Sequence, residues 1–345
     1  MAPTIYDIAE RADVSTATVS RVLNGMPGVT DETRQHVLEA ASALNYQPHA
    51  SARNLARQHT DTIAVIAPVM ANYFYMEVMR GIQGVVAERD YDLVIHVPPH
   101  PEDVEKRLER ALQPGRSDGL LLLSTPPDEG WAQRLLGMDR PTVLVDAYHP
   151  DLPSIAVDNE RGGYKATKHL IDGGYERIGH ITAASEPPPA RQRRAGYEEA
   201  LRAAGRSVRP ELIEASDELP FAFAEEGGYR AMRRLLDRPA PPDAVFAASD
   251  MQALGAMRAI RDADLSVPDD VALIGFDDIG LSRCVGLTTL RQPTQTIGRR
   301  AVEGLLSRIE DGEQPVSTVV LAPQLVTRTS CGTQPASSKR PATGH

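Results

Sequence analysis

The stretch Thr4-Ile5-Tyr6-Asp7-Ile8-Ala9-Glu10-Arg11-Ala12-Asp13-Val14-Ser15-Thr16-Ala17-Thr18-Val19-Ser20-Arg21-Val22-Leu23-Asn24 reads as two short helices joined by a tight turn. Thr4 suits an N-cap, and Ile5, Ile8, Ala9 and Ala12 share one helical face. Asp13 stands where the turn needs a residue tolerant of left-handed backbone, and Ser15 can cap a second helix whose apolar face is Val19, Val22 and Leu23. The small Ala9 allows close approach of the two helices, which leaves Thr16, Ala17, Thr18, Ser20 and Arg21 outside. An arginine able to fork onto guanine, beside short hydroxyls able to meet phosphates or base edges, suits a DNA major groove. The same spacing also fits an ordinary helical hairpin with a solvated face.

A third helix is expected from Thr30 to Asn45, with Asp31 and Glu32 set against its dipole and Val37, Ala40, Ala41 and Leu44 closing a three-helix core. After Tyr46-Gln47, Pro48 can open a short helix carrying Leu55, which is too short to hold by itself in water. Residues 1–47 therefore read as a helix-turn-helix head and 48–59 as a hinge or linker. Residues 1–59 hold five arginines, no lysine and six acids, so affinity for DNA must come from helix N-termini, hydroxyls and a few arginines.

From Thr62 the pattern changes to apolar strands alternating with amphipathic helices. Strands are expected at Ile63–Val69, Asp92–Val97, Gly119–Leu123, Thr142–Asp146, Ile155–Asp158, Ile178–Ala183, Ala244–Ala248 and Val271–Phe276. Helical periods run over Tyr73–Glu88, Tyr164–Ile171, Arg193–Ala203 and Met251–Ala263, which implies parallel strand-helix-strand units. This body, 60–331, is long for one doubly wound domain and divides into two lobes. One lobe is expected at about 60–159 and 291–320, the other at about 160–290 and 321–331, with 332–345 a disordered tail. The fold class is α/β: a three-helix head and hinge before a two-lobed body of doubly wound parallel sheets.

The chain has 345 residues, 41% hydrophobic and 24% charged, with a net charge of −10, so no overall cationic field draws it onto nucleic acid. Its apolar runs are strand-length, far short of the ~20 residues that cross a bilayer. Two cysteines, Cys284 and Cys331, and an N-terminus without an export signal point to a reducing cytoplasmic location. No Gly-x-Gly-x-x-Gly follows the first strand, and Gly-Lys-Ser/Thr, His-Glu-x-x-His and Gly-x-Ser-x-Gly are absent. Asp269-Asp270 and Asp277-Asp278 lack a recognisable acid–base or metal partner. The body is read as binding its ligand without catalysis, and no cofactor or metal is expected.

A two-lobed α/β body binds in the crevice outside the carboxyl ends of its strands. Tyr73, Phe74, Ser124, Asp146, Asp158, Ser249, Asp250 and Asp277 lie near those ends. Rings beside carboxylates and a hydroxyl suit a polyhydroxylated ligand. Asp158 and Asp250 fit helix caps equally well, Tyr73 fits the core, and Asp278 is read as solvated.

The whole pattern resembles the LacI/GalR family of bacterial transcription regulators over residues 4 to about 331. The carriers in the head are Tyr6-Asp7-Ile8-Ala9, Val14-Ser15, Thr18-Val19-Ser20-Arg21-Val22-Leu23-Asn24, Leu44-Asn45-Tyr46-Gln47-Pro48 and Ala52-Arg53-Asn54-Leu55-Ala56. In the body they are Asp158-Asn159, Gly173-Gly174-Tyr175, Arg193-Arg194-Ala195-Gly196-Tyr197, Ala248-Ser249-Asp250-Met251-Gln252-Ala253-Leu254-Gly255-Ala256 and Ile274-Gly275-Phe276-Asp277-Asp278. The resemblance implies a homodimer on a near-palindromic operator, cytoplasmic and nucleoid-associated when bound. Thr16, Ala17 and Arg21 would read bases; Thr4, Ser15, Thr18, Ser20, Asn24 and Thr33 would lie nearer the backbone; Ala52 and Leu55 would belong to a hinge helix whose leucine wedges into the minor groove.

The resemblance also assigns effector contacts to Arg193 and Asp277, with Phe223 or the nearby Phe221 as a stacking ring. Asp13 departs from the turn glycine or asparagine common in the family, and Pro187-Pro188-Pro189 from its usual polar loop. The function implied is an allosteric repressor of carbohydrate-utilisation genes controlled by a mono- or disaccharide. A purine- or nucleoside-responsive regulator using its ligand as corepressor is the runner-up, and a cytoplasmic sugar-binding protein without DNA activity is the reading from another class. No leucine heptad follows Cys331, so a dimer is expected rather than a tetramer.

Overall fold

Gly119-Leu120-Leu121-Leu122-Leu123 is buried along its whole length, as a central strand covered by helices on both faces must be. It is β3 in a computed structural model that describes residues 3–23, 26–46, 59–68, 73–98, 103–138, 140–184, 187–216, 223–312 and 317–332. The expected hinge helix after Pro48, with Ala52 and Leu55, lies outside the described residues, as do Asn24, Phe221 and 333–345.

The head comprises α1 (Ile5–Arg11), α2 (Thr16–Leu23) and α3 (Asp31–Ala43). Ile8, Ala9, Val19, Val22, Val37, Ala40 and Ala41 form its buried core. Asp13 adopts φ 49°, the left-handed turn its short polar side chain tolerates.

The first lobe's sheet contains β1 (Thr62–Ile66), β2 (Asp92–His96), β3, β4 (Thr142–Val145), β5 (Ser154–Val157) and β11 (Thr318–Leu321), ordered β11-β5-β4-β3-β1-β2 and parallel throughout. Alternation of side chains divides its core. Ile63, Val65, Leu121, Leu123, Val143 and Val145 join the core that holds buried residues of α4 (Tyr73–Glu88) and α12 (Thr294–Asp311). Ala64, Ile66, Leu120, Leu122 and Leu144 belong with those of α5 (Val104–Ala111) and α6 (Glu129–Leu136).

The second sheet contains β6 (Ile178–Ala183), β7 (Ile213–Ser216), β8 (Ala244–Ala247), β9 (Ala272–Asp277), β10 (Thr288–Arg291) and β12 (Gln324–Val326), ordered β12-β10-β9-β8-β6-β7. The expectation of all-parallel sheets needs one correction, because the edge strand β12 runs antiparallel to β10. The chain passes between the sheets at three places: after β5, after β10 and between β11 and β12. The helices of this lobe are α7 (Asn159–Asp172), α8 (Pro188–Ala203), α9 (Glu225–Leu236), α10 (Asp250–Arg261) and the short α11 (Gly280–Cys284). The proline run does not disturb α8; it opens it, with proline at the first helical positions where no amide hydrogen is needed.

Where α7 crosses α8, the two backbones touch at reciprocal glycines. A Cβ on Gly196 would collide with the Glu160 carbonyl oxygen, and one on Gly163 with that of Arg193. The same device recurs at Gly228 with Gly255 between α9 and α10, and at Gly81 with Gly298 between α4 and α12. Gly196→Ala is therefore expected to destabilise the protein by about 1–3 kcal/mol or more, since carbonyl backbone cannot give way as a side-chain tip can. Urea unfolding would show this, with Gly84→Ala, whose Cβ would meet open space in α4, neutral or slightly stabilising as the control. Because Gly163 and Gly196 share one crossing, the double variant should lose less than the sum.

Candidate DNA-reading face and effector cleft

On the head, Thr18 N donates to Ser15 Oγ at 3.1 Å, so Ser15 caps α2, and Thr33 N donates to Thr30 Oγ1 at 3.3 Å at the start of α3. Thr4 N and Oγ1 both donate to Asp7 Oδ2, at 2.6 and 2.7 Å, and this charge-assisted pair holds the Asp7 carboxyl below its usual range. Thr4, Ser15, Thr18 and Thr33 thus use their hydroxyls to shape helix starts, and Thr16 and Ser20 are half-buried beside them. Ala17 and Arg21 are exposed, and Arg21 has no hydrogen-bond or ion-pair partner among the described residues.

In the body, Arg193 organises the space at the carboxyl ends of the strands. Only 5% exposed, it donates from Nε to Asn159 Oδ1 at 2.8 Å and from Nη1 to the Ala248 carbonyl at 2.6 Å. Its guanidinium carbon lies 3.7 Å from the Phe276 ring centroid and 5.6 Å from that of Phe223. Its charge acts on one carboxylate from each lobe, Asp277 at the end of β9 and Asp146 beyond β4. Burial is the larger influence on both, pushing Asp277 up to about 7 and Asp146 up to about 6, while Arg193 opposes it.

Second contacts fix these carboxylates. Gln292, in the crossover after β10, donates to Asp277 Oδ1 at 2.5 Å, and Ser124 Oγ donates to Asp146 Oδ2 at 2.9 Å. Tyr75 joins the group through a hydrogen bond with Ser124, and burial pushes its phenol up to about 12. Ser124, Asp146 and Asp277 all have positive φ, 45°, 52° and 135°. Three non-glycine residues in this region at one crevice are the kind of strain that concentrates at ligand sites.

Several expected residues make contacts within the protein. Asp250 is fully buried and accepts from the Ile279 amide at 3.0 Å and from the hydroxyls of Ser282 and Thr289, so its carboxylate tethers the turn after β9 and β10 to α10. Ser249 caps α10 through Gln252 N at 3.1 Å, and Asp158 caps α7 through Arg161 N at 3.0 Å. Asp278 is not solvated: it bridges Arg291 at 2.6 Å and Arg328 at 2.5 Å with a side chain only 6% exposed. Tyr73 is exposed at the start of α4, and Phe74 packs edge-on against Tyr75, with centroids 5.4 Å apart. Asn159, Phe276, Gln292 and Tyr75 were not singled out by sequence; the first two lay inside quoted motifs, whereas nothing local distinguished the others.

Comparison with known proteins places both units. Residues 4–49 match the family described as bacterial regulatory proteins, lacI family, and residues 167–331 match a periplasmic binding protein-like domain. The ribose operon repressor of Haemophilus influenzae is 37% identical over 334 residues, covering 95% of this chain and 98% of that one. A transcriptional regulator CelR-cellobiose complex is 33% identical at TM-score 0.71, covering 95% and 99%. The lac repressor dimer bound to operator and the anti-inducer ONPF is 26% identical at TM-score 0.84, covering 96% and 100%. With the head, the two sheets and full-length identity in agreement, this chain belongs to the lacI family of bacterial regulatory proteins and is a DNA-binding transcriptional regulator.

Proposed function

We propose that this protein is a repressor of carbohydrate-utilisation genes whose operator affinity is set by a neutral sugar bound between the two lobes. The observation that carries the reading is Arg193, buried against two aromatic rings and facing one carboxylate from each lobe. Asp277, Asp146 and Asp250 oppose the single guanidinium charge, and two of the guanidinium nitrogens are already engaged. Such a site favours hydroxyl donors over a phosphorylated ligand, and rings suit the apolar face of a sugar. The relatives' ribose and cellobiose associations support that ligand class.

In this reading 1–47 reads DNA, 48–59 is the hinge and 60–331 binds effector and dimerises. Ala17, Thr16 and Arg21 face the bases; Arg193, Asp277, Asp146, Ser124 and Phe223 hold the sugar. A homodimer is supported by the dimeric lac repressor and by apolar side chains left exposed on β2, on α11 and just after it, among them Val94, Ile95, Leu281 and Val285. The protein acts in the cytoplasm, on the nucleoid when operator-bound, and binds its effector without turning it over.

Selection from random duplex DNA with the full-length protein tests the head and the dimer together. The expected result is a palindrome with a pyrimidine–purine centre, whose genomic neighbours name candidate sugars. Asp277→Ala should retain operator binding and lose the sugar response. Normal induction in that variant would remove Asp277 from the site, and a sugar that tightens operator binding would make the ligand a corepressor.

A further inference from the structure

At the end of the second lobe opposite the cleft, beside the first residue of β6, a cavity of about 320 Å³ is lined by Glu176, Ile178, Tyr197, Leu201, Arg206, Ser207 and Arg209. Its floor is apolar, from Ile178, Leu201 and the Tyr197 ring, whose hydroxyl is already committed to the Ile178 carbonyl at 2.8 Å. Arg206 is tied to the Tyr175 carbonyl. Arg209 is different: its Nη1 is buried and has no hydrogen-bond partner among the described residues. Guanidinium nitrogens removed from water without an acceptor are costly, and folded chains pair them or leave them for a ligand. Ser207 is exposed at the same wall, and Glu176, also exposed, is the one carboxylate among the described residues that line the cavity.

We infer that this cavity is a second ligand site, for a small organic oxyanion whose charged head pairs with Arg209 and whose apolar body lies on Ile178 and Leu201. The oxyanion supplies the acceptor that the Arg209 guanidinium lacks, taking its N–H donors in bidentate form, and Ser207 offers a further hydroxyl donor. Glu176 on the lining selects for a single compact charge held at Arg209 over a polyanion. The inference does not depend on the sugar reading, because the Arg193 cleft lies at the other end of the same sheet.

Calorimetric titration of the full-length protein with phenyl phosphate, benzoate and inorganic phosphate tests it. Saturable binding of phenyl phosphate or benzoate is expected, with the stronger of the two naming the headgroup class and inorganic phosphate weaker because it lacks the apolar body. Arg209→Gln should weaken binding about tenfold or more, and Ser207→Glu, a change at an exposed position, should abolish it by repulsion. Asp277→Ala should leave it unchanged. No saturation of any probe at millimolar concentration, or equal affinity in both cavity variants, overturns the inference. Binding lost in Asp277→Ala and kept in Arg209→Gln would assign the probe to the cleft and overturn it equally.

Discussion

Replacing Arg193 by alanine is expected to lower stability by about 3–5 kcal/mol, because it removes a buried guanidinium whose charge opposes those of the half-buried Asp277 and Asp146. The lost side chain also leaves Asn159 Oδ1 and the Ala248 carbonyl without their donor and removes the cation packed on Phe276. The loss should depend on pH with a definite sign. Asp277 and Asp146 already have raised pKa values in the folded protein, about 7 and about 6, so the folded state holds protons that the unfolded chain releases. Their ionisation therefore removes stability as pH rises through that window, and the strain is relieved as pH falls toward the unfolded values. Without Arg193 both carboxyls rise further. Urea unfolding should accordingly show a larger penalty at about pH 8 than at about pH 5.5. An equal penalty at both would mean that the guanidinium does not compensate these charges. Sugar affinity should be lost in this variant at either pH, and Arg193→Lys, which keeps charge without the planar fork, should recover stability better than binding.

Arg21→Ala is expected to leave the fold intact and damage only recognition. The side chain is exposed and unpaired among the described residues, so its stability effect should lie within about 0.5 kcal/mol. A bidentate contact to guanine contributes about 1–3 kcal/mol, and in a dimer both heads lose it, for a total of about 2–6 kcal/mol on a palindromic operator. Titration of the selected operator at fixed salt would measure this. Discrimination should relax at one base pair in each half-site, while the salt dependence changes little, because a base contact rather than a phosphate contact has gone. A uniform loss across all sequences, with a shallower salt slope, would instead put Arg21 on the backbone.

The head and the central strands were legible locally. Thr4, Asp13, Ser15 and Thr30 act as the cap and turn residues their chemistry suggests, and Gly119–Leu123 announces a strand buried on both faces. Strands β7, β10, β11 and β12 escaped the reading for particular reasons. β7 carries Glu214, which looks like a surface residue until Arg234 and Arg238 pair with it from beyond the strand. Thr288 and Thr289 of β10 are fully buried with their hydroxyls bonded to Arg328 and Asp250. The edge strands β11, with alternate positions exposed, and β12, of three residues, are too short to show a period.

The amino-acid sequence by itself determined the order of a helical head followed by an α/β body, because caps, turns and periodicity are local properties. Only the tertiary structure decided which partners each of these carboxylates meets. Asp158, Ser249 and Asp250 sit at equally suitable strand ends and are engaged by helix amides and buried hydroxyls, whereas Asp146 and Asp277 are each held by one side-chain donor, Ser124 and Gln292, within reach of the Arg193 charge. That division depends on which groups distant parts of the chain bring to each carboxylate, and no periodicity along the chain encodes it.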